Sequence, residues 1–148
     1  HEGIQAYRQS QGTDPHLTTV DHSYGSLTAG TAALSTKTGV VDDMVLYGSP
    51  GGRATDVHEY NVPEGHVYAS ANKGDFVAGL GPDSSFGHNP VKLPGVKNIS
   101  SDERGHSDYW DNPEFVEDVS QITAGENPET NRPDNQAAAA GAKKTAAE

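Results

Sequence analysis

Between residues 17 and 37 a short apolar strand runs through a sharp turn straight into a helix. That order restricts the fold more than any other stretch of the chain. Leu17-Thr18-Thr19-Val20 is brief and β-branched, the pattern of a buried strand. Asp21-His22-Ser23-Tyr24-Gly25-Ser26 follows, then a run rich in Ala, Leu and Thr that Thr38-Gly39 closes. Its small residues Gly25, Ala29, Gly30 and Ala33 suit a helix lying close on a sheet.

The same alternation continues downstream. A second strand lies within Val40–Tyr47, most clearly Met44-Val45-Leu46-Tyr47, and the loop Gly48-Ser49-Pro50-Gly51-Gly52 follows it. Residues 53–61 are expected to form a short helix, and His66–Ala71 a third strand. Residues 79–95 read as a long loop, and Val96–Ile99 as a short fourth strand. Asn112-Pro113 opens a last helix with Phe115, Val116, Val119 and Ile122 at helical spacing, and Gly125 caps it. Residues 1–11 form a first short helix that Gly12 stops. Strands alternating with helices predict an α/β fold, a parallel sheet with flanking helices. Residues 1–125 make up the domain. Residues 126–148 have almost no large apolar side chains and are expected to be a disordered low-complexity tail.

Charge narrows the partners. The 148 residues carry 21 Asp and Glu against ten Lys and Arg, a net charge of −11. Binding nucleic acid rests on cations neutralising phosphates, so a nucleic-acid partner is excluded, and an anionic membrane surface is disfavoured for the same reason. No apolar run approaches the roughly 18 residues of a membrane span. The polar start shows no signal peptide, and a histidine at position 1 fits a processed product or a fragment, so the compartment stays open between cytoplasm and exterior. Cysteine is absent, which removes disulfides, thiolate metal sites and cysteine nucleophiles. No His and Asp pair has the spacing of a metal site, and no cofactor is implied.

Strand, x-His-Ser-Tyr-Gly, helix is the layout of a nucleophile elbow, in which a tight turn lifts the serine hydroxyl above the sheet. Ser23 is then the nucleophile, and the backbone N–H of Tyr24 at the helix start is an oxyanion donor. Residue 21 departs from the pattern: aspartate stands where glycine is usual, so its Cβ crowds the turn and its charge lies near the serine. A plain helix N-cap is the competing reading of the same residues. A serine needs a base, and in this fold class the acid and then the base follow it along the chain. Of seven histidines, His106 comes last, in a loop after a strand. Asp75 lies between, just past the third strand, where a carboxylate would fix the imidazole tautomer. Asp83 and Asp102 are rivals in loops. Asp42 and Asp43 precede a strand and so lie at the wrong end of the sheet. His22 is expected to pack or hydrogen-bond below the elbow. His16, His58 and His66 read as surface residues, and His88 as a loop residue within reach of substrate.

These segments carry a resemblance. His22-Ser23-Tyr24-Gly25-Ser26, Val41-Asp42-Asp43-Met44-Val45-Leu46-Tyr47-Gly48-Ser49-Pro50-Gly51, Val67-Tyr68-Ala69, Gly74-Asp75-Phe76-Val77, Phe86-Gly87 and Gly105-His106-Ser107-Asp108-Tyr109 together resemble an actinobacterial α/β-hydrolase family once catalogued as a domain of unknown function. The resemblance spans roughly residues 13–125. It implies Ser23 as nucleophile, Asp75 as acid, His106 as base, and Gly48, Ser49 and Pro50 at the substrate rim. Family members usually have glycine at position 21 and often proline at position 76. It also implies a partial domain, the C-terminal portion lacking the N-terminal strands. The open sheet edge calls for a partner chain or self-association to cover it. The activity implied is a serine hydrolase acting on an ester or related acyl bond of a small-molecule or lipid-like substrate. The alternative is a catalytically degenerate hydrolase fold serving as a binding or structural module.

Overall fold

The computed structural model describes residues 2–79 and 86–133. Four strands form one parallel sheet in the order β1-β2-β3-β4: β1 (Thr18–His22), β2 (Asp43–Tyr47), β3 (Val67–Ser70) and β4 (Lys97–Asn98). Among the described residues three α-helices accompany them: α1 (Glu2–Ser10), α2 (Gly25–Ser35) and α3 (Pro113–Thr123). The chain thus has the parallel sheet with flanking helices expected of a partial α/β-hydrolase fold.

β2 is buried at every position because both faces of the sheet are covered. Met44 and Leu46 point to the α2 side, where Ala33, Tyr60, Val67 and Leu93 join them. Val45 and Tyr47 point the other way, towards Tyr109, Phe115, Val119 and Ile122. In α2 the buried residues are Ser26, Gly30 and Ala33, one face of a helix made of small side chains. Gly30 lies directly against the backbone of Gly52, where a β-carbon would land on the carbonyl. α3 begins as its sequence predicts: the Asn112 side chain accepts the Glu114 N–H at 3.0 Å, and Pro113 occupies the first turn. Gly125 ends it in the left-handed region, at φ 78°.

Three expectations change. Residues 53–61 hold a single 3-10 turn, Val57–Glu59, where a short helix was expected. Asp56 and Glu59 cap that turn reciprocally, and the Asn61 N–H donates to Ala33 at 2.9 Å, so the chain is drawn onto α2 and the turn goes no further. In the expected long loop, the described part folds a 3-10 turn at Pro90–Lys92 and buries Val91 and Leu93. The chain beyond Gly125 also returns to the sheet. Asn131 exchanges two hydrogen bonds with Asn98 of β4 (2.8 and 3.0 Å), and Arg132 reaches Asp118 at 3.3 Å. These contacts are polar, so the lack of apolar residues did not announce them. Residues 134–148 of the expected tail lie outside the described residues.

Candidate active site

β1 holds its register one residue past its end, since the Ser23 N–H donates to Tyr47 at 3.0 Å. Ser23 itself adopts φ 56°, a left-handed conformation that costs a residue with a β-carbon roughly 1–2 kcal/mol. Tyr24 is already helical (φ −64°, ψ −18°), and the Ser26 N–H turns back to the Ser23 carbonyl at 3.2 Å. Strand, left-handed serine and helix together put the hydroxyl beyond the carboxyl end of the sheet.

Two loops meet it there. Ser23 Oγ lies 2.9 Å from His106 Nε2. His106 Nδ1 lies 2.9 Å from each oxygen of Asp75. A carboxylate only accepts, so Nδ1 carries the proton and Nε2 is left to accept the serine hydroxyl. Asp75 is 1% exposed. Its Oδ1 accepts the N–H groups of Val77 (3.0 Å) and Ala78 (3.3 Å), and its Oδ2 accepts the Tyr109 hydroxyl at 2.7 Å. Tyr109 in turn accepts the Asn72 N–H at 2.9 Å. Burial, reinforced by the Asp75 charge, raises the Tyr109 pKa, so its hydroxyl stays a donor at neutral pH.

Gly48 is the residue that lets these side chains converge. It has φ 57°, and a β-carbon there would meet Asp75 Oδ2 at 2.9 Å, His22 Cδ2 at 3.1 Å and His106 Cε1 at 3.2 Å. Of the other expected rim residues, Pro50 is buried, and Ser49 is buried with its hydroxyl turned to the Gly51 carbonyl (3.0 Å) and to Ser26. His88 is exposed, and its N–H is held by the Ala54 carbonyl at 3.1 Å.

The rival acids lie elsewhere. Asp102 pairs with Arg104, and Asp83 falls outside the described residues. Asp43 opens β2 at the far end of the sheet, where it accepts from His16 Nε2 at 2.6 Å and His66 Nδ1 at 2.7 Å. His16 is exposed, as expected of a surface residue, and His66 is half-buried; each is bonded to this buried carboxylate. His58 is exposed and bonded to Asp56. Asp21 turns to the α2 side, into a groove of about 410 Å³ shared with Thr19, Gly25 and Thr28, so its Cβ leaves the elbow intact. Among the described residues no group of three or more His, Asp or Glu is placed to hold a metal ion. No helix among them is long and apolar enough to cross a membrane.

Two residues of the site were not legible as such. Tyr109 carries no motif of its own and is marked only by its place three residues after His106. His22 is expected to pack or hydrogen-bond below the elbow; it does both, and the partner that the sequence does not name is His106.

A parallel sheet with flanking helices and a serine at a left-handed strand–helix turn is the architecture of an α/β-hydrolase. The comparison agrees: the family model described as alpha/beta hydrolase matches residues 3–85, and the chain belongs to that family. It is 38% identical over 90 residues to uncharacterized proteins of Mycobacterium tuberculosis and Mycobacterium bovis. The match covers 60% of this chain and 33% of each relative. No solved structure matches.

Proposed function

We propose that the chain carries the nucleophile, base and acid of a serine hydrolase acting on an ester or related acyl bond. The supporting observation is the continuous relay from Ser23 Oγ through both nitrogens of His106 to buried Asp75, with 2.9 Å at each step. His106 takes the hydroxyl proton as Ser23 attacks the acyl carbon. Asp75 fixes the tautomer and stabilises the imidazolium that forms. The Tyr24 N–H, at the positive end of α2, faces the oxyanion. Collapse of the tetrahedral intermediate expels the alcohol, which takes its proton from His106, and water then releases the acid by the same steps. Every group the reaction needs is a side chain or a backbone N–H, so no cofactor enters. A small-molecule or lipid-like acyl compound fits this chemistry.

The relatives are about three times as long as the segment they share with this chain. A preceding segment, a partner chain or a second copy is proposed to pair with β1 and to supply a second oxyanion donor.

The test uses a fluorophosphonate probe and a short-chain aryl ester. The wild type is expected to be labelled and to turn the ester over, and Ser23→Ala to abolish both. A folded wild type that is never labelled would support the other reading, a degenerate hydrolase fold acting as a binding module. The half-buried carboxylate of Asp21 next to the elbow favours that second reading.

A further inference from the structure

We infer that His22 is a positioning residue for the general base, holding His106 by its ring and by its backbone together. The inference rests on the hydrolase reading and adds to it a residue outside the relay. The His22 ring is stacked on Tyr47 (4.7 Å, 17°), tilted against His106 (4.5 Å, 30°) and meets the edge of Tyr109 (6.1 Å, 65°). Its Nε2 is 2.8 Å from the His106 carbonyl oxygen. A carbonyl only accepts, so His22 carries its proton on Nε2 and donates it.

The loop that brings His106 to the site has little regular structure. Further ties flank the histidine: Asn72 Nδ2 donates to Gly105 at 3.3 Å, the Asp102 N–H donates to Asn72 at 3.0 Å, and the Lys73 N–H donates to Asp102 at 2.8 Å. At residue 106 itself, the carbonyl is held by His22 and the ring is faced by His22. Since His22 immediately precedes Ser23, the segment that bears the nucleophile also grips the base. A shift of the loop strains the His22 bond to the backbone of residue 106 together with the Asp75 bonds to its ring. Gly48 makes the arrangement sterically open, because a β-carbon there would crowd both imidazoles.

Tyr47 completes the clamp. It stacks on His22, and its own hydroxyl accepts the Trp110 Nε1–H at 3.1 Å. Trp110 comes from the short turn Tyr109–Asp111, just after the His106 loop. The His22 ring is thus packed among three rings while its Nε2 reaches the His106 carbonyl.

The experiment compares wild type, His22→Phe and His22→Gln by aryl-ester kinetics, fluorophosphonate labelling rate and nitrogen-edited NMR of the imidazoles. Phe keeps the ring and loses the donor; Gln keeps a donor near the Nε2 position. His22→Phe is expected to lower kcat and the labelling rate about 10- to 100-fold, the scale of a small misplacement of a reacting group, with KM nearly unchanged. His22→Gln should restore most of the rate. NMR of the wild type should find His22 protonated on Nε2. Unchanged kcat and labelling in a folded His22→Phe would overturn the inference and leave the hydrolase reading standing. So would a His22 protonated on Nδ1, a result that needs no variant to fold. A folded wild type that is never labelled would remove the hydrolase reading and this inference with it.

Discussion

At position 21 an aspartate occupies the place where a nucleophile elbow usually has glycine, and its effect is electrostatic. One carboxylate oxygen, Oδ2, is buried without a partner. Burial raises the Asp21 pKa, and the neighbouring Thr19 hydroxyl offsets only part of that. The folded chain therefore binds this proton more tightly than the unfolded chain does. Such a group contributes stability below the ordinary carboxylate range, and that contribution is lost as the pH rises through the folded pKa. At neutral pH the charge destabilises. Asp21→Asn, which removes the charge and keeps the shape, is accordingly expected to raise Tm at pH 7. The gain should shrink as the pH falls towards 4, where aspartate is itself becoming neutral. Thermal melts across that range check it, and a gain that did not change with pH would exclude this cause. The candidate relay was readable at this scale because Ser, Asp and His each follow a strand in a fixed chain order. His22 and Tyr109 were not readable, since their roles depend on which rings meet after folding and no spacing encodes that.

At the scale of elements, period and small residues carried most of the information. β2 was legible because its apolar run is continuous, as burial on both faces requires. α3 was legible from its cap and from Phe115, Val119 and Ile122 on one face. Residues 53–61 misled because a helical composition says nothing about the pull of the Ala33 carbonyl on Asn61. The run of small residues in α2 has a sharper consequence. It lets the helix approach the Gly48–Gly52 loop backbone to backbone, with Gly30 facing Gly52. That loop starts at Gly48, so the helix behind the nucleophile also fixes the residue around which the candidate site closes. In an exposed helix Gly→Ala is favourable by up to about 1 kcal/mol. Here the methyl group would meet a carbonyl that cannot yield without moving the loop, and overpacking of this kind costs about 1–3 kcal/mol. Gly30→Ala is expected to lower stability in a denaturant melt and to slow labelling of Ser23 in the molecules that remain folded. A stabilised Gly30→Ala would show that the loop gives way freely.

For the whole molecule, the two edges of the sheet are treated differently. β4 is covered where Asn131 binds both backbone groups of Asn98. Among the described residues no strand pairs with the outer edge of β1, and the groove beside it is lined by Thr19, Thr28, Ala29 and Ala32. An uncovered edge with an adjoining apolar groove is a template for another strand. The net charge of −11 opposes the approach of a second copy. Screening weakens that repulsion, since the Debye length falls from about 8 Å at 0.15 M to about 3 Å at 1 M salt. Pairing through backbone bonds and apolar contact is not weakened in the same way. Self-association should therefore grow with concentration and grow further with salt, the reverse of what an ion-paired interface would do. Sedimentation velocity at several concentrations in low and high sodium chloride measures this. Thr28→Glu, an exposed position at the groove, adds a negative charge where a second acidic chain would dock and should return the protein to a monomer under the same conditions. A wild type that stays monomeric at every concentration and salt would mean that β1 is protected by the chain itself. Association that salt dissolves would mean the contact is ionic and lies elsewhere on the surface.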